Sequence, residues 1–286
     1  MKSVYKNIVI IGYGKIAIKI LEYVNDFSKD MGYQLLFIEH EKQLISVMQQ
    51  VCADAEVAYE RIVENKKLEE RLVSIADKTL IISANNNYIF PQSVLNNEKL
   101  VIINFHNALL PNYPGRNAPS WAMYNGEKET GITWHFVNNE IDAGNIIAQS
   151  SCVIGENDKA YQLTKRLMDL SYDCFCNFFE DLITNNVTGI AQKKQAYRKI
   201  YLSKDIPGNG RFDIEKDTGE YIYRLLRSTD YGVGGIFPTI KTFYDGRTVE
   251  ILKYNVMPAD DIQEAGYIYL KIDSMRKLRL KYKEIE

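Results

Sequence analysis

An amide, an imidazole and a carboxylate stand at Asn104, His106 and Asp142. Asn104 and His106 are two residues apart at the end of the apolar run VIINFH, and side chains alternate along an extended strand, so both project from the same side. An amide N–H can donate to an oxygen that is gaining negative charge, and an imidazole can move a proton near neutral pH. The carboxylate follows a further strand, in Asp142-Ala143-Gly144, where it can set the charge and orientation of the ring. The set suits acid/base chemistry on a small substrate, provided all three groups reach one crevice.

The elements needed to bring them there are legible between residues 7 and about 150. Apolar runs of four to six residues (NIVII, YQLLFIE, TLIISA, LVIINF, TGITWHFV) have the look of strands covered on both faces. They alternate with helical patterns at roughly 15–29, 40–51, 59–75 and 116–124, which predicts an α/β domain with a mostly parallel sheet and helices on both faces. Asn104, His106 and Asp142 are then expected at the ends of adjacent parallel strands, where open α/β sheets bind ligands. The first strand runs into Gly12, Gly14 and Ala17, a spacing that in a Rossmann-like fold cradles a pyrophosphate. Glu39 ends the second strand near where a ribose-binding acid would stand, so an NAD-dependent oxidoreductase is the alternative from that motif. No hydride-transfer constellation follows it.

Residues 158–185 place Ala160, Leu163, Leu167, Leu170, Cys174, Phe178 and Leu182 at three- and four-residue steps, predicting a long amphipathic helix with Asp158 as N-cap. Domain 1–189 ends with it. A polar linker, 190–210, carries Lys193, Lys194, Arg198, Lys199 and Lys204. Domain 211–286 is predicted to be small and β-rich: a helix at 213–228, a hairpin turning on Asp245-Gly246, and two further strands.

A chain of 286 residues with 46% hydrophobic content can build such a core, and a net charge of −2 gives no global reason to expect nucleic acid or an anionic membrane as partner. Cys52, Cys152, Cys174 and Cys176 lack paired spacing and His40, His106 and His135 stand apart, so no metal site or disulfide framework is expected. With no apolar leader and no run long enough for a membrane span, the reading is a cytoplasmic protein.

The stretch NFHNALLPNYPGRNAPSWAMYNGEKETGITWHFVNNEIDAGNII carries Asn-x-His, Leu-Leu-Pro with a Gly, Thr-Gly-x-Thr and Asp-x-Gly. This resembles the signature of the folate-dependent formyltransferases, and the likeness extends over about residues 5–255. The resemblance implies that Asn104 stabilises the formyl oxyanion, that His106 manages protons between attacking amine and leaving nitrogen, and that Asp142 tunes His106. It implies 10-formyltetrahydrofolate as formyl donor, its pterin held by Asn87, Tyr88, Ile89 and Phe90 and by Asn138, Asn139, Glu140 and Ile141. Gly12, Tyr13 and Gly14 would border the acceptor, and Arg116 would suit a substrate or folate carboxylate. His135 is read as a strand residue beside the site.

Within that family the acceptor expected for this chain is a small amine. Glycinamide ribonucleotide enzymes are usually shorter, which the extension 211–286 argues against. A methionyl-tRNA enzyme would need a positive phosphate-contacting track, and FIEHEKQLISVM runs into a helix without a basic insertion. An amino-deoxysugar on a nucleotide is the expected acceptor. Methionyl-tRNA and an amino-acid-type amine are the alternatives, and a homodimer is left open.

Overall fold

The computed structural model describes residues 2–42, 46–193 and 199–285. In chain order β1 (Asn7–Gly12) leads into α1 (Gly14–Met31), followed by β2 (Gln34–Glu39), α2 (Met48–Asp54), β3 (Ala58–Arg61) and α3 (Asn65–Val73). Next come β4 (Thr79–Ala84), α4 (Gln92–Leu95), β5 (Leu100–His106), α5 (Ala118–Tyr124), β6 (Glu129–Phe136), β7 (Ile146–Val153) and α6 (Ala160–Ile183). The chain ends with α7 (Gly219–Thr229), β8 (Lys241–Tyr244), β9 (Arg247–Pro258), β10 (Tyr267–Lys271) and β11 (Arg276–Glu284).

Two units divide these elements. The first comprises Met1–Gly115, Gly131–Ser151 and Arg166–Ile200; the second comprises Arg116–Thr130, Cys152–Lys165 and Tyr201–Glu286. The sheet ordered β3-β2-β1-β4-β5-β6-β7 is parallel from β3 through β5. Alternation along β1 sorts its side chains between two cores. Val9 and Ile11 pack with Leu68 and Leu72 of α3 and Val94 of α4. Ile8 and Ile10 face the other side, which α1 covers with Ile16, Ala17, Ile20, Leu21 and Val24. Rings of α6 close that layer, with Phe175 and Phe179 against Tyr23. The α/β reading with helices on both faces is borne out.

Gly12 explains why β1 and β4 part where they do. A Cβ there would lie 1.9 Å from the Ala84 carbonyl oxygen, so only glycine lets the two strand ends approach. The clash is with backbone and cannot be relieved by a rotamer change. Gly12→Ala is therefore expected to destabilise the first unit by at least about 1–3 kcal/mol, read as a lower urea midpoint at unchanged m-value.

Several elements differ from the sequence reading. Residues 59–75 contain the edge strand β3 and a shorter helix, α3, because Tyr59–Arg61 pair with Phe37–Glu39. α2 begins at Met48, and part of the helix expected over 40–51 lies outside the described residues. β6 runs antiparallel to β5, so the site is not built from adjacent parallel strands. α6 starts at Ala160, two residues beyond the predicted cap, Asp158. Gln162 Oε1 accepts the Lys159 N–H there, while the Asp158 carboxylate accepts the Gly155 N–H. α7 starts at Gly219 rather than 213, since Asp213 is taken up in a turn with Glu215 and Asp217. The Thr218 hydroxyl accepts the Tyr221 N–H as its cap.

In the second unit, β10-β11-β9-β8 form an antiparallel sheet. The predicted hairpin is present: Asp245 and Gly246 both have positive φ, 49° and 76°, the backbone of a type I′ turn. Ile222, Leu225 and Leu226 of α7 pack on Val249, Ile251, Leu278 and Leu280. Lys194 and Arg198 of the predicted linker lie outside the described residues. No helix among the described residues is long and apolar enough to cross a membrane.

Candidate active site

β5 carries Asn104 and His106 on one side of the strand, as the spacing requires, and β6 places His135 opposite Asn104 and Thr133 opposite His106. The loop after His106 is anchored by Thr133. Its hydroxyl donates to the Ala108 carbonyl and accepts from the Leu110 N–H and Gln149 Nε2. Gly131, in the same Thr-Gly-x-Thr run, has no room for a Cβ, which would lie 2.2 Å from the Ser150 carbonyl oxygen. The run thus positions the loop.

His106 is 7% exposed. Its Nε2 donates to the Tyr113 carbonyl at 2.7 Å, and its Nδ1 lies 3.5 Å from Asp142 Oδ2. Both ring nitrogens face acceptors, an arrangement that suits a ring carrying two protons. Tyr113 and Asp142 have positive φ, 54° and 50°. Non-glycine residues adopt that conformation at a cost of order 1–3 kcal/mol where the surroundings enforce it.

Several partners enforce it at Asp142. Oδ2 accepts the Gly115 N–H at 2.7 Å, Oδ1 is 3.6 Å from His135 Nε2, and Gln192 Nε2 donates to the carbonyls of Asp142 and Gly144. Gly144 lies flat on β6, where a Cβ would come within 1.7 Å of the Phe136 carbonyl oxygen. This is the physical reason for glycine in Asp-x-Gly. Burial by itself would push the Asp142 carboxyl up. The positive field of His106, with the hydrogen bond from the Gly115 N–H among the other contributors, outweighs burial and holds it well below the usual carboxylate range.

The sign of the consequence follows from that depression. A carboxylate with a lowered folded-state value adds stability above its unfolded value, about 4, and the contribution is lost as pH falls through the folded value. The unfolding midpoint of the native protein is expected to fall on acidification below about pH 4. Asp142→Asn, which keeps the shape and tolerates positive φ, should lack that part of the acid loss in urea unfolding.

The donor-pocket residues divide. Asn87 and Ile89 are exposed, whereas Tyr88 and Phe90 are buried in the core beside α3 and α4, their rings 5.2 Å apart. Asn138 and Asn139 help line a cavity of about 300 Å³ with Gln92, Val94, Leu95, Leu100, Ile102 and Val137. Glu140 and Ile141 are exposed in the same loop. Amides of Gln92, Asn138 and Asn139 among aliphatic side chains suit a flat heterobicycle such as a pterin, and among the described residues the buried Tyr88 hydroxyl and Asn86 Nδ2 beside Asn87 have no hydrogen-bond partner. Leu95, Leu100 and Ile102 were not among the expected lining residues, because in sequence they are indistinguishable from core.

The glycine loop meets this region. Asn85 Nδ2 donates to the Tyr13 carbonyl, and Asn87 Nδ2 is 3.4 Å from the Tyr13 hydroxyl, while Gly14 has φ +75°. Glu39, the acid that an oxidoreductase would aim at a ribose, is 2% exposed and accepts the Tyr59 hydroxyl. Arg116 follows Gly115 in the chain, and its backbone N–H donates to the Tyr201 carbonyl within the second unit. Two residues that sequence reasoning did not assign to the site belong to its geometry: His135, which touches Asn104 and Asp142, and Gln192, from the predicted linker.

A sequence profile of the formyl transferase family matches residues 36–178. The chain belongs to the formyl transferase family. Among curated members, the methionyl-tRNA formyltransferase of Alkaliphilus oremlandii is 32% identical over 191 residues, covering 66% of this chain and 58% of its own. The chain thus spans less than two thirds of that relative's length. Among solved formyltransferase structures, the N-formyltransferase from Helicobacter canadensis, in complex with folinic acid and dTDP-3-aminofucose, superposes with a TM-score of 0.73 at 21% identity. The match covers 99% of this chain and 100% of that one. A 4-N formyltransferase from Francisella tularensis gives a TM-score of 0.67 at 19% identity, covering 85% and 95%. At these identities the structural likeness establishes the fold alone.

Proposed function

We propose that this chain transfers the formyl group of 10-formyltetrahydrofolate to a primary amine, and that the amine is carried by an amino-deoxysugar on a nucleotide. The observation that carries the chemistry is the convergence of Asn104, His106 and Asp142, with His106 held between Asp142 and the Tyr113 carbonyl. The amine lone pair attacks the formyl carbon, and the bond from that carbon to the tetrahydrofolate nitrogen breaks. One proton lost by the amine is balanced by one gained by the leaving nitrogen.

Asn104 donates an amide N–H to the oxygen as it becomes an oxyanion, an interaction stronger in the transition state than in the ground state. His106 holds the proton at Nε2 and manages its passage to the leaving nitrogen. Asp142 balances the imidazolium and fixes the ring. The cavity beside Asn138 and Asn139 is the proposed pterin site, and Gly12, Tyr13 and Gly14 are proposed on the acceptor side.

Full-length correspondence in fold to N-formyltransferases, one crystallised with a nucleotide amino sugar, supports the sugar acceptor, as does the net charge of −2. The identity to a methionyl-tRNA formyltransferase favours tRNA as second reading. Incubation with 10-formyltetrahydrofolate and a panel of nucleotide amino sugars, free amino acids and initiator methionyl-tRNA separates them by mass. Gain of one formyl group on an amino sugar supports the proposal. Formylation of the tRNA alone, with affinity falling steeply as salt rises, replaces it.

A further inference from the structure

We propose that His135 is a positioning residue for Asn104: it decides which end of the Asn104 amide faces the ring and so keeps one amide N–H for the oxyanion. The purpose of that second N–H rests on the formyl-transfer reading above. The placement of the amide does not.

A side-chain amide has a donor end and an acceptor end, exchanged by a half-turn about its last bond. Only the nitrogen end can stabilise an oxyanion, so a catalytic asparagine needs something to prevent the flip. His135 is 2% exposed and sits directly across the β5–β6 register from Asn104. Its Nδ1 is 2.8 Å from the Phe136 carbonyl oxygen, a group that only accepts, so Nδ1 carries the hydrogen. In the neutral ring Nε2 then presents a lone pair, and Asn104 Nδ2 lies 3.3 Å from it. The amide donates one N–H there. A flipped amide would set its oxygen lone pairs against the Nε2 lone pair.

Charge balance agrees with this tautomer. Asp142 supplies one negative charge, and His106, with acceptors at both nitrogens, is the ring built to answer it. A second imidazolium at His135 would leave an uncompensated charge in a buried cluster. The Phe136 carbonyl that sets the tautomer is also the atom against which Gly144 packs, so the Asp142 loop and the Asn104 amide are fixed from one point on β6.

Two measurements test the assignment. In nitrogen NMR of the free protein labelled at histidine, His135 is expected to show a protonated Nδ1 and a bare Nε2 at neutral pH. A proton on Nε2 overturns the proposal, and this readout needs no activity, so it stands even where the formyl-transfer reading fails. In steady-state kinetics with the identified acceptor, His135→Leu is expected to lower kcat by about 10- to 100-fold and leave both KM values within about threefold. His135→Gln, whose carbonyl oxygen can accept the same N–H, should recover part of the loss. Unchanged kcat in His135→Leu, or a loss that glutamine does not relieve, overturns it. Where the leucine variant does not fold, the glutamine variant and the spectrum of the native protein decide.

Discussion

The His106→Ala variant is expected to keep its fold and to lose about 10²–10⁴-fold in turnover, the usual worth of a positioned general acid or base. The ring is nearly buried and lies between the Tyr113 carbonyl and the Asp142 carboxylate. Its removal takes away the proton carrier and one partner of the Asp142 carboxylate. The loss should therefore fall on kcat. Circular dichroism and the urea midpoint check that the sheet survives, and a kcat near the native value in a folded variant would remove His106 from the mechanism.

The Asn104→Ala variant is expected to lose about 10²–10³-fold in kcat, as when one oxyanion donor is deleted elsewhere. Asn104 lies on β5 beside Ser83 of β4 on one side and His135 of β6 on the other, so the backbone is held whatever the side chain. Binding of substrates should change little, because the interaction matters when charge has developed on the oxygen. Asn104→Asp should be at least as damaging, since it replaces a donor with a negative acceptor. Combined with His106→Ala, the losses should be less than additive, as the two groups act on one reacting centre. Rate measurements at saturating substrate decide both points.

How much of this could be read before folding depended on whether the information was local. The Asn-x-His pair, the Asp-Gly hairpin turn and the glycine turn after β1 are local: each needs only a strand period or a sign of φ, and each is where the sequence placed it. β3 was not legible, because AYER is a four-residue polar edge strand that gains its identity from pairing with β2. The antiparallel direction of β6 was not legible either. It depends on how the Pro- and Gly-rich loop after His106 is tied down by Thr133, a residue far along the chain.

The same distinction governs the site. His135 looks like any strand histidine in GITWHFV, and only its register opposite Asn104 gives it a task. Gln192 lies in a polar stretch that reads as solvated connector, yet it donates to two carbonyls of the Asp142 loop. Leu95, Leu100 and Ile102 are apolar residues that line a cavity because the sheet leaves space there. Composition weighed against nucleic acid as a partner, but the groups that position the chemistry emerged from pairing across the sheet.

The most direct test follows an isotope-labelled formyl carbon from 10-formyltetrahydrofolate in a single turnover with a nucleotide amino sugar. The native protein should deliver the label to the sugar nitrogen as a formamide, and the Asn104→Ala variant, folded and able to bind the donor, should deliver it orders of magnitude more slowly. Label that stays on the folate or passes to water with every amine offered, or that reaches the sugar equally fast without the Asn104 amide, would contradict the account.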